Sequence, residues 1–354
     1  MKNYLARIFC SVSLVVLLSI LLTHPSMAEP DGKSLYLQHC TVCHGNDGNG
    51  GVGLPLALPS FLKIVPASYL KKTIELGRPG RVMPSFNQLS EDEINAITQY
   101  VLSWQRGGRI TLGDSPIRGD KHRGEQLFRQ NCVKCHRQHG EGGEGTGVTF
   151  SRPRSLPIIP PALNNPGFLT AAPDQFIKMT LIKGREGTPM VSFAKKGLSD
   201  QQINDIVSYV RSFQTPLKNK DESIVGNQTP ILSYVSSSNF KDTIENVKQA
   251  IIGANFVLIR VQNLESGLMP ATEEDPHKVV IYFCNFHLID DFLKIDPRIG
   301  VFLPCRITVI EENGQVQLQS VNPKILTRLF NNDELTRACE EMAAMYRNVM
   351  EESI

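Results

Sequence analysis

Two short stretches carry the chemistry of this chain: Cys40-Thr-Val-Cys43-His44 and Cys132-Val-Lys-Cys135-His136. Thiols three residues apart lie roughly one helical turn from each other. Both can reach one edge of a flat macrocycle and add to its two vinyl groups as thioethers. The next residue then points an imidazole at the iron in the middle. Cys-x-x-Cys-His is the signature of c-type haem attachment. The spacing predicts two haem c groups, bound covalently by Cys40 with Cys43 and by Cys132 with Cys135, with His44 and His136 as axial ligands to iron. A zinc site is the rival reading. It needs further Cys or His at suitable spacing, and only the isolated His139 follows the second stretch.

The sixth ligand emerges from an internal repeat. Gly77-Arg-Pro-Gly-Arg-Val-Met83-Pro-Ser-Phe and Gly184-Arg-Glu-Gly-Thr-Pro-Met190-Val-Ser-Phe both fit G-R-x-G-x-x-M-x-S-F, and each lies downstream of one Cys pair. A thioether is a soft donor that favours reduced iron and raises the potential. Met83 and Met190 are therefore the expected sixth ligands. A lone Met is more often core filling. Met179 reads that way, because it sits in the helix-like run Phe176-Ile-Lys-Met-Thr-Leu with no counterpart in the first copy. His39 is expected on the surface, and His122 and His139 are not expected to bind iron.

The elements that position these groups repeat as well. A short helix opens near Asp31-Gly-Lys-Ser-Leu-Tyr and near Arg123-Gly-Glu-Gln-Leu-Phe and runs into each Cys pair. Each Met segment is followed by an amphipathic helix, Ser90 to Trp104 and Ser199 to Phe213. Apolar residues recur in them at helical spacing (Ile94, Ile97, Val101; Ile203, Ile206, Val210). Ser90 with Glu93 and Ser199 with Gln202 form capping boxes. Cys40 to Met83 spans 43 residues and Cys132 to Met190 spans 58, and the extra 15 fall largely between His139 and Pro161. The predicted organisation is a signal segment 1–28, a first unit 29–108, a second unit 109–218 and a C-terminal domain 225–354. The stretch Arg106 to Arg118, with Gly107-Gly108 and Pro116, is the linker between units.

Residues 29 to about 215 resemble two class I cytochrome c domains in tandem. The match rests on the Cys pairs with their His, on the downstream Met and on a final helix bearing an aromatic. The resemblance implies all-α domains whose first and last helices cross through Gly/aromatic contacts. Gly32 and Tyr36 against Tyr100, and Gly124 and Phe128 against Tyr209, fit that pattern. It also implies a Pro carbonyl that orients the proximal His: Pro55 or Pro59 in the first unit, and Pro157, Pro160 or Pro161 in the second.

The last third has no Cys-x-x-Cys-His. Phe240 to Ile252 reads as a helix, and Phe256 to Gln262 and Lys278 to Cys284 as strands. Arg306 to Glu312 and Gln315 to Val321 flank Asn313-Gly314, a strong hairpin signal. Asn332 to Met350 is a helix, so this is a small α+β domain. Phe283-Cys284-Asn285, Asp296-Pro297 and Leu303-Pro304-Cys305-Arg306 resemble the DUF302 family, which implies no particular activity. Cys284 and Cys305 pair as a disulfide, bind a metal with His287, carry sulfur, or lie buried as plain thiols; Cys339 reads as core.

The first 28 residues hold a basic start (Lys2, Arg7), an apolar run from Ile8 to Leu22 and Ser26-Met27-Ala28. This is the layout of a cleaved export signal, which predicts a periplasmic protein; an inner-membrane anchor facing the periplasm is the alternative. Without them the chain has 35 basic and 35 acidic residues, which does not suggest nucleic acid as a partner. The charge is uneven: residues 109–218 carry 16 basic and 9 acidic side chains, and 219–354 carry 12 and 19. Iron held by His and Met has no open position, so the expected role is electron transfer between redox partner proteins rather than substrate conversion. The alternative is a dihaem oxidoreductase acting on a small substrate, a sulfur compound among the candidates, with the C-terminal domain as an accessory. A third possibility is that this domain docks a partner or self-associates.

Overall fold

The computed structural model describes residues 29–144, 159–215 and 229–354. Residues 1–28, expected to be an export signal, and Pro157 lie outside them. In the first unit, α1 (Gly32–His39) runs directly into α2 (Thr41–His44), followed by α3 (Pro59–Leu62), α4 (Ala67–Leu76) and α5 (Glu91–Ser103). The second unit repeats the order with α6 (Lys121–Asn131), α7 (Val133–His136), α8 (Pro166–Ala171), α9 (Asp174–Lys183) and α10 (Asp200–Arg211). Side chains start these helices. Asp31 caps α1 and Asp120 caps α6 by accepting backbone N–H bonds, and Ser90 and Ser199 form the expected capping boxes with Glu93 and Gln202.

The first and last helices of each unit cross where only glycine fits. A Cβ at Gly32 would run into the Ala96 carbonyl, and one at Gly124 into that of Asp205. Aromatic rings close the crossings: Tyr36 lies 5.5 Å from Tyr100 and 5.1 Å from Trp104, and Phe128 lies 5.3 Å from Tyr209 and 5.8 Å from Phe213. The second crossing has an additional lock. The buried Asp205 accepts from the Asp120 N–H at 2.8 Å, from Gln201 at 3.0 Å and from the Arg123 guanidinium.

The two units share one apolar core, so the linker does not separate independent bodies. It is tied down at both ends: the Ile110 N–H donates to Lys63 O at 2.7 Å, and the Ile117 N–H donates to Asp174 at 2.7 Å.

The C-terminal domain is an antiparallel five-stranded sheet in the order β1-β5-β4-β3-β2, with β1 Ile231–Ser236, β2 Val257–Asn263, β3 Lys278–Cys284, β4 Cys305–Glu312 and β5 Gln315–Val321. Along β4, Cys305, Ile307 and Val309 are buried in alternation, as a half-covered sheet requires. They meet Val247 and Ile251 of α11 (Phe240–Gly253). Asn313 and Gly314 both adopt positive φ (52° and 74°), so the predicted hairpin is made by a two-residue turn. Among the elements not legible beforehand are β1, an edge strand paired with β5, and α12 (Phe286–Ile295), which starts two residues after β3. After α13 (Leu326–Leu329), the helix expected from Asn332 is α14 (Thr336–Glu351), preceded by a 3₁₀ turn at Asp333–Leu335.

The Asp205 lock gives a testable expectation. Its buried setting raises the carboxyl pKa, but the bonds from Arg123, Asp120 and Gln201 outweigh this and hold it below the usual value. Asp205→Ala should lower the unfolding free energy by about 2 kcal/mol, the cost of stripping partners from buried polar groups. Asp205→Asn, which keeps an acceptor for the Asp120 N–H, should lower it less. A depressed folded pKa contributes stability above the unfolded pKa that is lost as pH falls, so the gap between wild type and Asp205→Ala should shrink below about pH 4. Denaturant midpoints measured across pH check this.

Candidate functional site

Each predicted haem motif sits on one tight turn. The His44 N–H donates to Cys40 O at 2.9 Å and the Cys43 N–H to the same carbonyl at 3.2 Å; His136 and Cys135 repeat this on Cys132 O at 2.8 and 3.1 Å. The turn sets each pair of thiols as neighbours on one helical face. All four thiols are free, so no disulfide consumes them. Burial pushes the Cys40 thiol up to about 11 and the Cys132 thiol up to about 12. In the first unit the fully buried Tyr36 donates its hydroxyl to Gly45 O at 2.8 Å, which pins the chain just after His44.

The imidazoles are oriented through the backbone. His44 Nδ1 lies 2.7 Å from Leu54 O, and His136 Nδ1 lies 3.0 Å from Pro161 O. A carbonyl can only accept, so in each ring Nδ1 carries the proton and the Nε2 lone pair is left for another partner. Gly53 packs so closely that a Cβ there would come 2.7 Å from the His44 ring. Burial lowers both imidazole pKa values, which favours the neutral, ligating form.

The orienting carbonyl corrects one expectation. In the second unit it belongs to Pro161, while Pro160 O accepts from the Gly143 N–H at 2.9 Å. In the first unit it is neither Pro55 nor Pro59 but Leu54. The loops align through the bonds of Leu56 and Leu163 to Gly48 O and Gly140 O, which puts Leu54 where the second unit has Pro161. A carbonyl comes with every residue, so proline is not required there.

Unpaired thiols on one turn beside an imidazole with a free Nε2 fit a covalently bound haem. Among the described residues no group of three or more His, Cys, Asp or Glu could hold a metal ion.

The two Met segments match bond for bond. Gly77 and Gly184 end α4 and α9 with positive φ (62° and 69°). The Arg78 N–H donates to Met83 O at 2.9 Å and the Arg185 N–H to Met190 O at 2.7 Å, and Phe86 and Phe193 bond back to Ile74 O and Leu181 O. Met83 and Met190 are half-buried. The Phe86 ring lies 6.0 Å from His39, which holds the first Met segment beside the first Cys pair. His39 is thus half-buried rather than on the surface. His122 and His139 are exposed, and Met179 packs against the core.

The arginines of the repeat have a role that the motif did not disclose. Arg78 lies over Tyr69 of its own unit (5.7 Å) and Phe168 of the other (5.8 Å), and Arg185 lies over Phe176 of its own (5.4 Å) and Phe61 of the other (5.5 Å). Phe61 meets Phe176 at 6.2 Å, Tyr69 meets Phe168 at 6.4 Å, and Tyr69 meets Phe176 at 4.6 Å. Thr73 and Thr180 accept from the two guanidinium groups. Equivalent positions of the two copies therefore form one interface by the same contacts, and burial lowers the Arg185 pKa to about 10. Conservation of Arg within the repeat was the available signal.

In the C-terminal domain Cys284 and Cys305 are buried, free and hydrogen-bonded to each other, with Tyr346 as a further partner of Cys305. The Cys284 thiol bonded to it draws Cys305 below the ordinary thiol range, and the same bond pushes Cys284 up. Cys305 and Tyr346 line a cavity of about 50 Å³ with Phe292, Phe302, Leu326 and Met342. His287 is exposed and forms no metal cluster with the thiols, and Cys339 is core.

Residues 28–101 match the family model of the cbb3-type cytochrome c oxidase subunit III, residues 122–214 that of cytochrome c, and residues 232–353 that of DUF302, a domain of unknown function. The chain is 27% identical over 199 residues to the cbb3-type cytochrome c oxidase subunit CcoP of Azospirillum sp. (strain B510), covering 52% of this chain and 62% of that one. It is 31% identical over 199 residues to the cytochrome bc1 complex cytochrome c subunit of Mycobacterium leprae, covering 51% and 60%. It thus spans less than two thirds of the length of these curated relatives. A DUF302 protein of Bacillus stearothermophilus aligns over 36% of this chain and 99% of its own, at 19% identity and a TM-score of 0.33. The chain therefore carries a cbb3-type cytochrome c domain and a second cytochrome c domain in tandem, followed by a C-terminal DUF302 domain.

Proposed function

We propose that this chain is a periplasmic dihaem cytochrome c that passes electrons between redox partner proteins. The observation that carries the reading is the repeated pair of free thiols beside an imidazole whose Nδ1 is committed to a backbone carbonyl. Cys40 and Cys43, and Cys132 and Cys135, hold one haem each as thioethers. His44 and His136 present Nε2 to iron, and Met83 and Met190 complete the coordination from the repeated turns. A haem iron so bound supplies one-electron Fe(III)/Fe(II) exchange.

The protein's own residues set the conditions. The carbonyls of Leu54 and Pro161 fix the tautomer and face of each imidazole, as orienting partners of metal-bound histidines do. A Met in the sixth position leaves no place for a substrate, which favours a carrier over an enzyme. The shared aromatic interface holds the two units together as one body. The curated relatives are named as subunits of the cbb3-type oxidase and of the bc1 complex, which supports a role among redox partners. Export rests on the layout of residues 1–28. No helix of the described residues is long and apolar enough to cross a membrane.

Two measurements test this. The oxidised mature protein should show the weak long-wavelength band of Met–Fe(III) ligation. Met83→Ala and Met190→Ala should each remove about half of it, and the double variant all of it; a high-spin spectrum from the unsubstituted protein would sink the reading. Replacing Cys132 and Cys135 together by Ala should leave about half of the haem resistant to acid–acetone extraction, whereas full retention would show that the second stretch does not attach haem.

A further inference from the structure

The Met loop of the second unit braces itself. The Thr188 hydroxyl donates to Arg185 O at 2.7 Å and accepts from the Met190 N–H at 3.1 Å. The first unit has Arg81 at the position of Thr188, and no hydroxyl to bridge the loop. Its brace comes from the DUF302 domain instead. Asn331 Nδ2 lies 3.0 Å from Arg78 O, 2.5 Å from Arg81 O and 2.9 Å from Met83 O, and its Oδ1 accepts from the Gly80 N–H at 3.3 Å. The Asp333 N–H donates to Gly80 O at 3.0 Å, and Arg81 pairs with Glu334.

This corner of the DUF302 domain is itself rigidly backed. Asn331 adopts φ 49°, a conformation that Asn tolerates better than most side chains. Its neighbour Asn332 is buried and donates to Asp296 at 3.2 Å, and Arg298 ties Asp296 to Phe330 O. Only a primary amide meets this set of partners: two N–H groups face three carbonyls while one oxygen takes an N–H.

We infer that Asn331 is a positioning residue for Met83: the DUF302 domain holds the first unit's Met loop in its ligating shape, the task that Thr188 performs in the second unit. This rests on the reading of Met83 and Met190 as sixth ligands. The two haem sites are then unequal by construction. One keeps its Met through its own loop, and the other keeps it only while the DUF302 domain is docked.

Imidazole, which competes with Met for ferric iron, tests the inference on the full-length holoprotein. Loss of the Met–Fe(III) band on titration is assigned to one site or the other with Met83→Ala and Met190→Ala. Asn331→Ala and the near-isosteric Asn331→Asp, which keeps the acceptor but offers no donor, should each tighten imidazole binding at the first site about tenfold, as loss of a hydrogen-bond clamp predicts. Both should lower that haem's midpoint potential and leave the second site unmoved. Thr188→Val should do the reverse. Unchanged binding at the first site in both Asn331 variants would overturn the inference, as would equal shifts at both sites, which indicate general loosening. If Met83→Ala leaves the band intact, the sixth-ligand reading fails and the clamp with it. If Met83→Ala removes its share while the Asn331 variants change nothing, only the clamp fails.

Discussion

In each cytochrome unit a single backbone carbonyl decides what the imidazole can do. Leu54 O and Pro161 O accept the Nδ1–H hydrogen bond, and this leaves the Nε2 lone pair for another partner. The surrounding structure serves that bond. Tyr36 pins Gly45, Gly53 closes on the ring, and the N–H groups of Leu56 and Leu163 fold the loops back onto Gly48 and Gly140. The helix crossings at Gly32 and Gly124 sit one layer behind. They hold α1 and α6 against α5 and α10, so that the turn emerging from each begins in a fixed place. A half-exposed imidazole without such a partner would titrate and rotate. Here burial keeps it neutral, outweighing the opposite pull of the hydrogen bond, and the carbonyl keeps it aimed.

What could be read in advance was whatever needs a particular side chain at a particular spacing. Thioether attachment needs two thiols one turn apart, capping needs Ser and Glu three residues apart, and a two-residue hairpin needs Asn-Gly. Cys40 with Cys43, Ser90 with Glu93 and Asn313-Gly314 were legible for that reason. The Leu54 carbonyl was not, because every residue offers one and only the loop's path selects it. The contacts of Arg78 and Arg185 were half legible: the repeat showed that Arg recurs, but not that each reaches aromatics of the other copy. Asn331 could not be read at all. It lies some 250 residues from the loop it binds and has no motif around it, so its role depends on how two domains meet. β1 was missed on similar grounds, since an edge strand owes its conformation to the neighbour it pairs with.

The DUF302 domain looks different once its place beside the first unit is considered. Its core is self-sufficient, built from Val247, Ile251, Phe283, Ile307, Leu318 and Met342 without help from the cytochrome units. Its reach into the first unit comes from a short corner between α13 and α14, and the groups used are an amide, a backbone N–H and a carboxylate. Polar contacts of this kind give orientation at modest affinity, which suits a domain that trims the geometry of a neighbour more than one that glues it in place. The thiol pair of Cys284 and Cys305 lies inside this domain, with Ile299 and Phe302 of the turn that also carries Arg298 lining the adjoining cavity.

The aromatic interface between the cytochrome units is symmetric. Phe61 and Phe168, Tyr69 and Phe176, and Arg78 and Arg185 are each the same position used twice, once from either side. Contacts that are reciprocated in this way define an isologous dimer. The tandem is thus a two-fold dimer whose subunits have been joined end to end, and the joining segment works chiefly by keeping the partner permanently at hand. A single unit carrying these residues would already possess a surface complementary to a copy of itself. The two copies differ in two respects: the second has the longer loop after its Cys pair, and in the first the Met loop is bonded by Asn331.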